Sequence, residues 1–424
     1  MNNRFTLTWM LVPLILLILV DIYVFQAVRS AFTDARSSQQ RIAYITYWSL
    51  SAITYIVLAV IFTKNYQQWH GWDKNLMIGV AQAIFFGKLL LLPFLLIDDL
   101  LRVGRWAFSF FNTTQPAITQ ANGISRLQFL SRIGLGIGTF TMGGMLYGIL
   151  RGAFNYQIKK IPLAIPQLPA AFEGLKIVQI SDMHLGSFAD NSPVEKIVEL
   201  VNAQQPDMIF FTGDLVNYAA KEIHPHIPAL SRLKASQGIY SVLGNHDYGM
   251  YLKWEKEEDR IANFNELLHI QREQLGWDLL MDEHRIVERD GHQLAVIGVQ
   301  YIGHNLRFAS FGNLKKAYAG AENAAVQLLL SHDPSHWDKE VSVAEDFKNI
   351  HTTFSGHTHG FQFGIEVPKI NLQWSPSQYV YPHWAGLYRQ EQQQLYVNRG
   401  IGFLGYPGRL GISPEITVFR LTKA

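Results

Sequence analysis

The chain has 424 residues, a formal net charge of only +2 and no cysteine. That length allows two or three domains and a sizeable core. The charge balance supplies no basic field for nucleic acid, and the lack of cysteine excludes disulfides, thiolate zinc sites and thiol nucleophiles.

Up to about Phe154 the chain is apolar with few acids. Segments 7–28, 44–62 and 76–97 are each long enough to cross a bilayer, and the Gly-rich 133–150 is a shorter, uncharged fourth. No small-residue cleavage site follows the first segment, which therefore reads as an anchor and not a removed leader. Tyr44, Tyr47, Trp48, Trp69 and Trp72 fall near the proposed ends, as interfacial aromatics do. Residues 1–154 are thus expected to be a transmembrane helical region of about four helices. Lys and Arg divide nearly evenly between the two sides, so their count does not orient the spans. Segment 125–138 resembles a degraded twin-arginine export signal, with Arg126 and then Phe129–Leu130 ahead of an apolar stretch. It points to a multi-pass protein of the cell inner membrane whose following domain lies on the outer, periplasmic face. Asp21 and Lys88 fall inside spans and read as a mutual ion pair more readily than as a relay.

Residues 155–174 contain three prolines and read as a linker with a lead-in strand. From 175 to 424 the pattern becomes that of a soluble α/β domain. Apolar runs without polar alternation imply strands buried on both faces at 175–181, 207–213 and 238–244, with helices at 192–204, near 233 and at 257–276. A hairpin at 284–300 turns at Arg289–His292, and further strands follow at 324–332, 350–356, 394–400 and 414–421. The expected fold is two packed β-sheets sandwiched by helices. The aromatic run 370–388 has no period and reads as a long loop.

Several strands end in ligand-type side chains. "VQISDMHLG" brings Asp182 and His184, "FTGDL" Asp214, "YSVLGNHD" Asn245 and His246, "LLLSHDP" His332, and "TTFSGHTHG" His357 and His359. Hard oxygens and imidazoles without sulfur suit Mn, Fe or Zn. Seven metal ligands exceed the needs of one ion; two ions sharing a carboxylate would use them all, with Asp214 as the shared ligand. Residues i and i+2 of an extended segment share a face, so Asp182 and His184 are expected to approach one ion together. Gly213, Gly244, Gly356 and Gly360 are expected to allow the sharp bends beyond the strands.

The ordered set D-x-H, GD, GNHD, H and GHTH resembles the calcineurin-like metallophosphoesterases over roughly residues 175–422. The anchored layout and the closing segment 396–421 resemble the membrane-associated bacterial branch, which is similar to animal transmembrane proteins with a metallophosphoesterase domain. The resemblance implies two divalent ions, one held by Asp182, His184, Asp214 and His359, the other by Asp214, Asn245, His332 and His357. It implies for His246 a role in stabilising the transition state or protonating the leaving oxygen, with Asn245 also stabilising phosphoryl charge. Asp247 is not taken to orient His246, because adjacent side chains of an extended segment diverge. Phe361 stands where the family usually has a small residue.

The implied chemistry is hydrolysis of a phosphodiester or pyrophosphate by a metal-activated hydroxide, without a covalent intermediate. The membrane anchor and the aromatics of 370–388, Trp384 among them, point to a lipid-linked substrate. Arg399 and Arg409 are candidate phosphate contacts. The expected partners are the lipid bilayer and a phosphoester, not nucleic acid. A phosphomonoesterase of a soluble or periplasmic substrate is the alternative within the same chemistry; a catalytically silent membrane receptor or scaffold is the alternative of another class.

Overall fold

The computed structural model describes residues 3–63, 72–110, 124–303, 309–370 and 372–424. The expected interfacial Trp69 lies outside the described residues. The chain divides into two units, one built from residues 1–69 and 76–147, the other from 70–75 and 148–424.

The first unit is helical: α1 (Asn3–Ala31), α2 (Ser37–Thr63), α3 (Trp72–Leu89), α4 (Leu92–Ser109) and α5 (Arg126–Leu150). Four stretches among them are long and apolar enough to cross a membrane. The third differs from its expected form. Residues 73–109 form one apolar stretch broken into α3 and α4, with Pro93 in the first turn of α4, where its missing N–H costs nothing. The Gly-rich fourth segment is a full helix, in which Gly87 of α3 and Gly138 of α5 stand so close that a Cβ on either would strike the other's carbonyl oxygen. Inside this unit Lys88 pairs with Asp21 at 3.0 Å, as expected, and Arg126 pairs with Asp98 at 2.7 Å.

The second unit is a sandwich. One six-stranded sheet has the order β1 (Gln157–Ile165), β14 (Glu415–Lys423), β2 (Lys176–Ile180), β3 (Met208–Phe211), β4 (Ile239–Ser241), β5 (Asp278–Leu279). The other runs β12 (Gly386–Gln390), β13 (Gln393–Val397), β9 (Thr352–Ser355), β8 (Val326–Leu330), β7 (His292–Gly298), β6 (Glu283–Arg289). Phe210, Phe419 and Val242 of the first sheet's strands and loops meet Phe354, Tyr396 and Val296 of the second in one buried layer. The outer face of the first sheet is covered by α6 (Ser192–Asn202) and α8 (Glu257–His269), whose Val194, Ile197, Val201 and Leu267 enter its core.

Three sequence expectations change here. The lead-in segment is no loose linker: β1 pairs with β14 from Gln157↔Glu415 to Ile165↔Lys423, so the sheet is incomplete without it. The helix expected to end near Leu233 is a single turn, α7 (Ile227–Leu230), entered through Pro225 and Pro228. The stretch expected as one long loop holds part of a small separate hairpin, β10 (Ile365–Val367) with β11 (Leu372–Trp374), and the start of β12.

Candidate metal centre

The carboxyl ends of β2, β3 and β4 in one sheet and of β8 and β9 in the other open toward the same place. Each predicted ligand sits just beyond such an end. Asp182 and His184 are not in the extended backbone that the sequence reading assumed. Asp182, His184, Asp214, His357 and His359 all have φ between 47° and 73°, a left-handed conformation that costs a non-glycine residue about 1 kcal/mol or more. The side chains therefore converge through turned loops, not through i, i+2 alternation. The glycines divide by role. Gly213 has φ 96° and supplies a turn, whereas a Cβ at Gly244 would fall on the Asp214 carboxylate.

The loops are laced together by the ligands. Asp182 N–H donates to the Gly213 carbonyl at 2.9 Å and His184 N–H to that of Asp214 at 3.2 Å. His357 N–H donates to the Asp182 carboxylate at 3.0 Å, and His246 N–H to Asp214 Oδ1 at 2.9 Å. Asp247 binds the structure at a hub: its carboxylate accepts from the N–H groups of Gly244, Asp214, Leu215 and Val216. It does not orient His246, whose Nδ1 instead faces the Asn217 carbonyl at 2.7 Å, leaving Nε2 to the pocket side of the ring.

Two groups of three ligand atoms result, each within 4.8 Å of one another: Asp182, His184 and His359, and Asp214, His332 and His357. All are buried except the half-buried His357. Within them imidazoles face imidazoles, His184 Nε2 to His359 Nε2 at 3.0 Å and His332 Nε2 to His357 Nδ1 at 3.2 Å. Burial holds His184 down at about 3 and pushes His357 and His359 below their ordinary value, so these rings are neutral with lone pairs to give. Burial likewise lifts Asp182 to about 6, with the Asp214 charge adding to the push. Asp214 would rise for the same reason, but His332, His246 and His184 hold it well below the usual carboxylate range. Burial opposes a charge on His332, yet Asp214, 3.2 Å away, raises it to about 10.

This donor set fits divalent cations. His184 and His359, both neutral, turn ring nitrogens toward one another beside the buried Asp182, an arrangement that gains little by itself and much from a positive ion. Asn245 adds a separate sign: its amide nitrogen donates to Tyr251 Oη at 2.8 Å, while its buried Oδ1 has no hydrogen-bond partner among the described residues. A buried amide oxygen left bare is costly unless something electropositive completes it.

A cavity of about 470 Å³ opens over His184, Asp214, Asn245, His246, His357 and His359. Phe361, Tyr381, Leu404 and Tyr406 form its apolar wall. Three expected substrate contacts are not among its lining residues. Arg399 is buried in ion pairs with Glu415 at 2.5 Å and Glu366 at 2.9 Å. Arg409 is buried behind the ligands, donating to the carbonyls of Arg399, Gly400 and Gly402 and standing 3.2 Å from His359 Nδ1. Trp384 packs with Tyr381, Ala385 and Ile412 and offers only its carbonyl, to Thr358 Oγ1. The arginines hold the framework: each is buried among carboxylates or carbonyls, and neither lines the cavity.

The sequence reading missed Tyr251, which holds Asn245 and lies 4.3 Å from the His246 ring. It also missed Asn217, which acts through its backbone, and the hydroxyl of Tyr381, 2.8 Å from His357 Nε2. Only for Tyr381, placed in the aromatic run, was there a signal.

Comparison with known proteins agrees with this geometry. A family model described as calcineurin-like phosphoesterase matches residues 175–361, and one described as a probable calcineurin-like phosphoesterase transmembrane domain matches 4–153. The chain is similar to a transmembrane protein with metallophosphoesterase domain from Danio rerio, 28% identical over 286 residues, covering 66% of this chain and 60% of that one. Its counterpart from Bos taurus is 30% identical over 287 residues, covering 65% and 60%. An uncharacterised metallophosphoesterase of Bacillus subtilis is 30% identical over 311 residues, covering 70% of this chain and 98% of its own length. The chain thus spans 60% of the length of these two animal relatives.

Proposed function

Because this chain belongs to the calcineurin-like metallophosphoesterases, hydrolases of phosphoric esters, we propose that it hydrolyses a phosphodiester or pyrophosphate of a lipid-linked substrate. The observation that carries the reading is the pairing of two imidazole–carboxylate ligand groups with a cavity whose other wall is apolar. One side of the cavity suits a phosphoryl group and the other the apolar remainder of an ester.

In this reading Asp182, His184 and His359, and Asp214, His332 and His357 with Asn245, would hold two divalent ions, Mn, Fe or Zn. When bound, such ions lower the pKa of water and offset charge on phosphoryl oxygens. The chain's own groups do the rest. Asn217 accepts from the Nδ1–H of His246, so when the ring carries its second proton it is Nε2–H that faces the leaving oxygen and gives that proton up, leaving a neutral ring still bonded to Asn217. Tyr251 holds the Asn245 amide, keeping Oδ1 turned away from itself. Phe361 and Tyr381 exclude water from the side on which the ester's apolar group lies. We further place the protein in the inner membrane with this domain on the periplasmic face, on the strength of the export-like segment around Arg126.

The test is hydrolysis of bis-p-nitrophenyl phosphate and p-nitrophenyl phosphate by the purified full chain, with Mn²⁺ and after chelation. Metal-dependent turnover that prefers the diester supports the reading. In Asp214→Asn it should fall by about 10³-fold, as expected when several kcal/mol of transition-state charge stabilisation are lost. Preference for the monoester would favour the soluble-substrate alternative, and no turnover with metal demonstrably bound would favour a silent receptor.

A further inference from the structure

The hairpin of β10 and β11 is built the wrong way round for a surface hairpin in water. Its register pairs Ile365 with Trp374 and Val367 with Leu372, while Glu366 pairs with Gln373. Side chains alternate across a strand, so the first two pairs share one face and Glu366 lies on the other. Glu366 points to the protein, where it meets Lys159 Nζ at 2.8 Å and Arg399 Nη2 at 2.9 Å. Arg399 is in turn bound to the buried Glu415. A charged side chain thus pins the hairpin to the sandwich, and its apolar face is left outward: Ile365 is 50% exposed, Val367 37% and Leu372 45%. Ile370, in the turn, is 69% exposed, and Phe363 and Val380 continue the patch. In a soluble hairpin the alternation runs the other way, apolar side in and polar side out.

Both chain ends of this segment are walls of the cavity. Phe361 precedes the hairpin, and Tyr381 follows it. Ser375 Oγ, just past β11, donates to the Gly360 carbonyl at 2.6 Å, which ties the base of the hairpin to the ligand loop. The hairpin that bears the apolar face is thus tied at its base to the loop carrying Phe361 of the pocket's apolar wall.

We propose that this hairpin docks on the lipid bilayer, with Ile365, Val367, Ile370 and Leu372 seated in the headgroup–acyl boundary. Three observations choose lipid over a protein partner. Among its described residues the same chain carries four helices long and apolar enough to cross a membrane, and β1 begins at Gln157, soon after α5 ends at Leu150. Exposed Lys369 at the turn places a cation beside the apolar side chains, as interfacial segments do toward anionic headgroups. The hairpin bearing the patch is tied to the loop that carries Phe361 of the pocket's apolar wall, where the apolar part of an amphiphile would pass from lipid to site. This docking goes beyond the hydrolase reading and needs no turnover to be observed.

The native chain has no cysteine, so one introduced thiol carries one label. Ile370→Cys and, separately, Leu372→Cys are labelled with an environment-sensitive nitrobenzoxadiazole in the full chain. A reference label is placed by Val343→Cys, at a site 60% exposed elsewhere on the domain. Each protein is reconstituted in vesicles of phosphatidylcholine and phosphatidylglycerol, with and without brominated acyl chains. Emission from the hairpin labels should be blue-shifted and quenched by bromolipid about threefold more than at the reference site, as seating in the headgroup–acyl boundary requires. Water-like emission without lipid quenching at both hairpin positions would overturn the proposal. So would cross-linking between copies through Ile370→Cys in the absence of lipid quenching, which would assign the face to a second chain.

Discussion

Each unit buries a cluster of charged and polar side chains, and the two clusters are composed on opposite plans. In the helical unit Asp21 is satisfied by its neighbours: Lys88 Nζ lies 3.0 Å from Oδ1, Tyr55 donates to Oδ2 at 2.5 Å, and Tyr47 donates to the Asp21 carbonyl at 2.7 Å. Lys88 also donates to Ser51. Cation meets anion and donor meets acceptor. In the sandwich, imidazole faces imidazole even where His332 also meets Asp214, and Asn245 Oδ1 has no partner among the described residues. Each cluster centres on a buried carboxylate, Asp21 and Asp214 both 2% exposed, so burial of the carboxylate does not separate a structural polar cluster from a functional one. The sign of the pairing does. A cluster that closes on itself holds helices together, whereas one made of facing lone pairs has places for cations.

The largest effect on that contrast should come from breaking the closed cluster. Asp21→Asn strands a buried ammonium and should destabilise the helical unit by about 3 kcal/mol. Adding Lys88→Met to it should restore most of that loss, since a pair removed together leaves no orphan charge. Denaturant unfolding of the full chain in detergent, followed by far-UV ellipticity, measures both, and hydrolysis should be unchanged in the double variant. If single and double variants unfolded alike, the cluster would not be the closed pair described. The open cluster should respond in the reverse manner. His246→Gln removes no proposed ligand, so metal content should stay constant while kcat falls about 10²-fold, the usual share of a general acid. Metal analysis beside steady-state kinetics checks this, and loss of metal with activity would make His246 part of the ligand set.

The same contrast explains what was legible in the sequence. Strand-end motifs such as "SGHTHG" and "LGNHD" state residue type and order, and residue type is what makes a metal site. Seven candidate ligand positions could therefore be put forward before any geometry was known, and six of them fall in the two groups that could hold an ion. Packing cannot be read that way. Arg399 and Arg409 are cationic and near the closing motif, but whether a guanidinium faces a cavity or a carboxylate depends on Glu366 and Glu415, distant in sequence and brought close by β10 and β14. Trp384 was equally ambiguous, because an aromatic run has the same composition whether it lines a pocket or backs a loop. The hairpin of β10 and β11 escaped because its strands are three residues each, too short for a period to show. Asn217 was invisible in principle, since any residue could offer the carbonyl that holds His246.

Tyr251 gives the smallest and sharpest test, because it joins a self-satisfying contact to an open one. Its hydroxyl accepts from Asn245 Nδ2 at 2.8 Å, and its ring lies 4.3 Å from that of His246 with the planes 33° apart. Burial pushes the phenol up to about 12, so it remains neutral at working pH. Tyr251→Phe keeps the ring and deletes the acceptor, freeing the Asn245 amide to rotate. Outer-shell partners of this kind are worth about 10-fold in metal affinity or rate. The expected result is weaker binding of the more loosely held ion, read as a right-shifted Mn²⁺ activation curve, with kcat recovered at saturating metal. Tyr251→Leu should add a fall in kcat that metal does not rescue, since the ring beside His246 is then gone. Were Tyr251→Phe to match the native curve, the hydroxyl would be dispensable and Asn245 would be held by its other contacts. The open cluster would then be organised by the ligand loops alone.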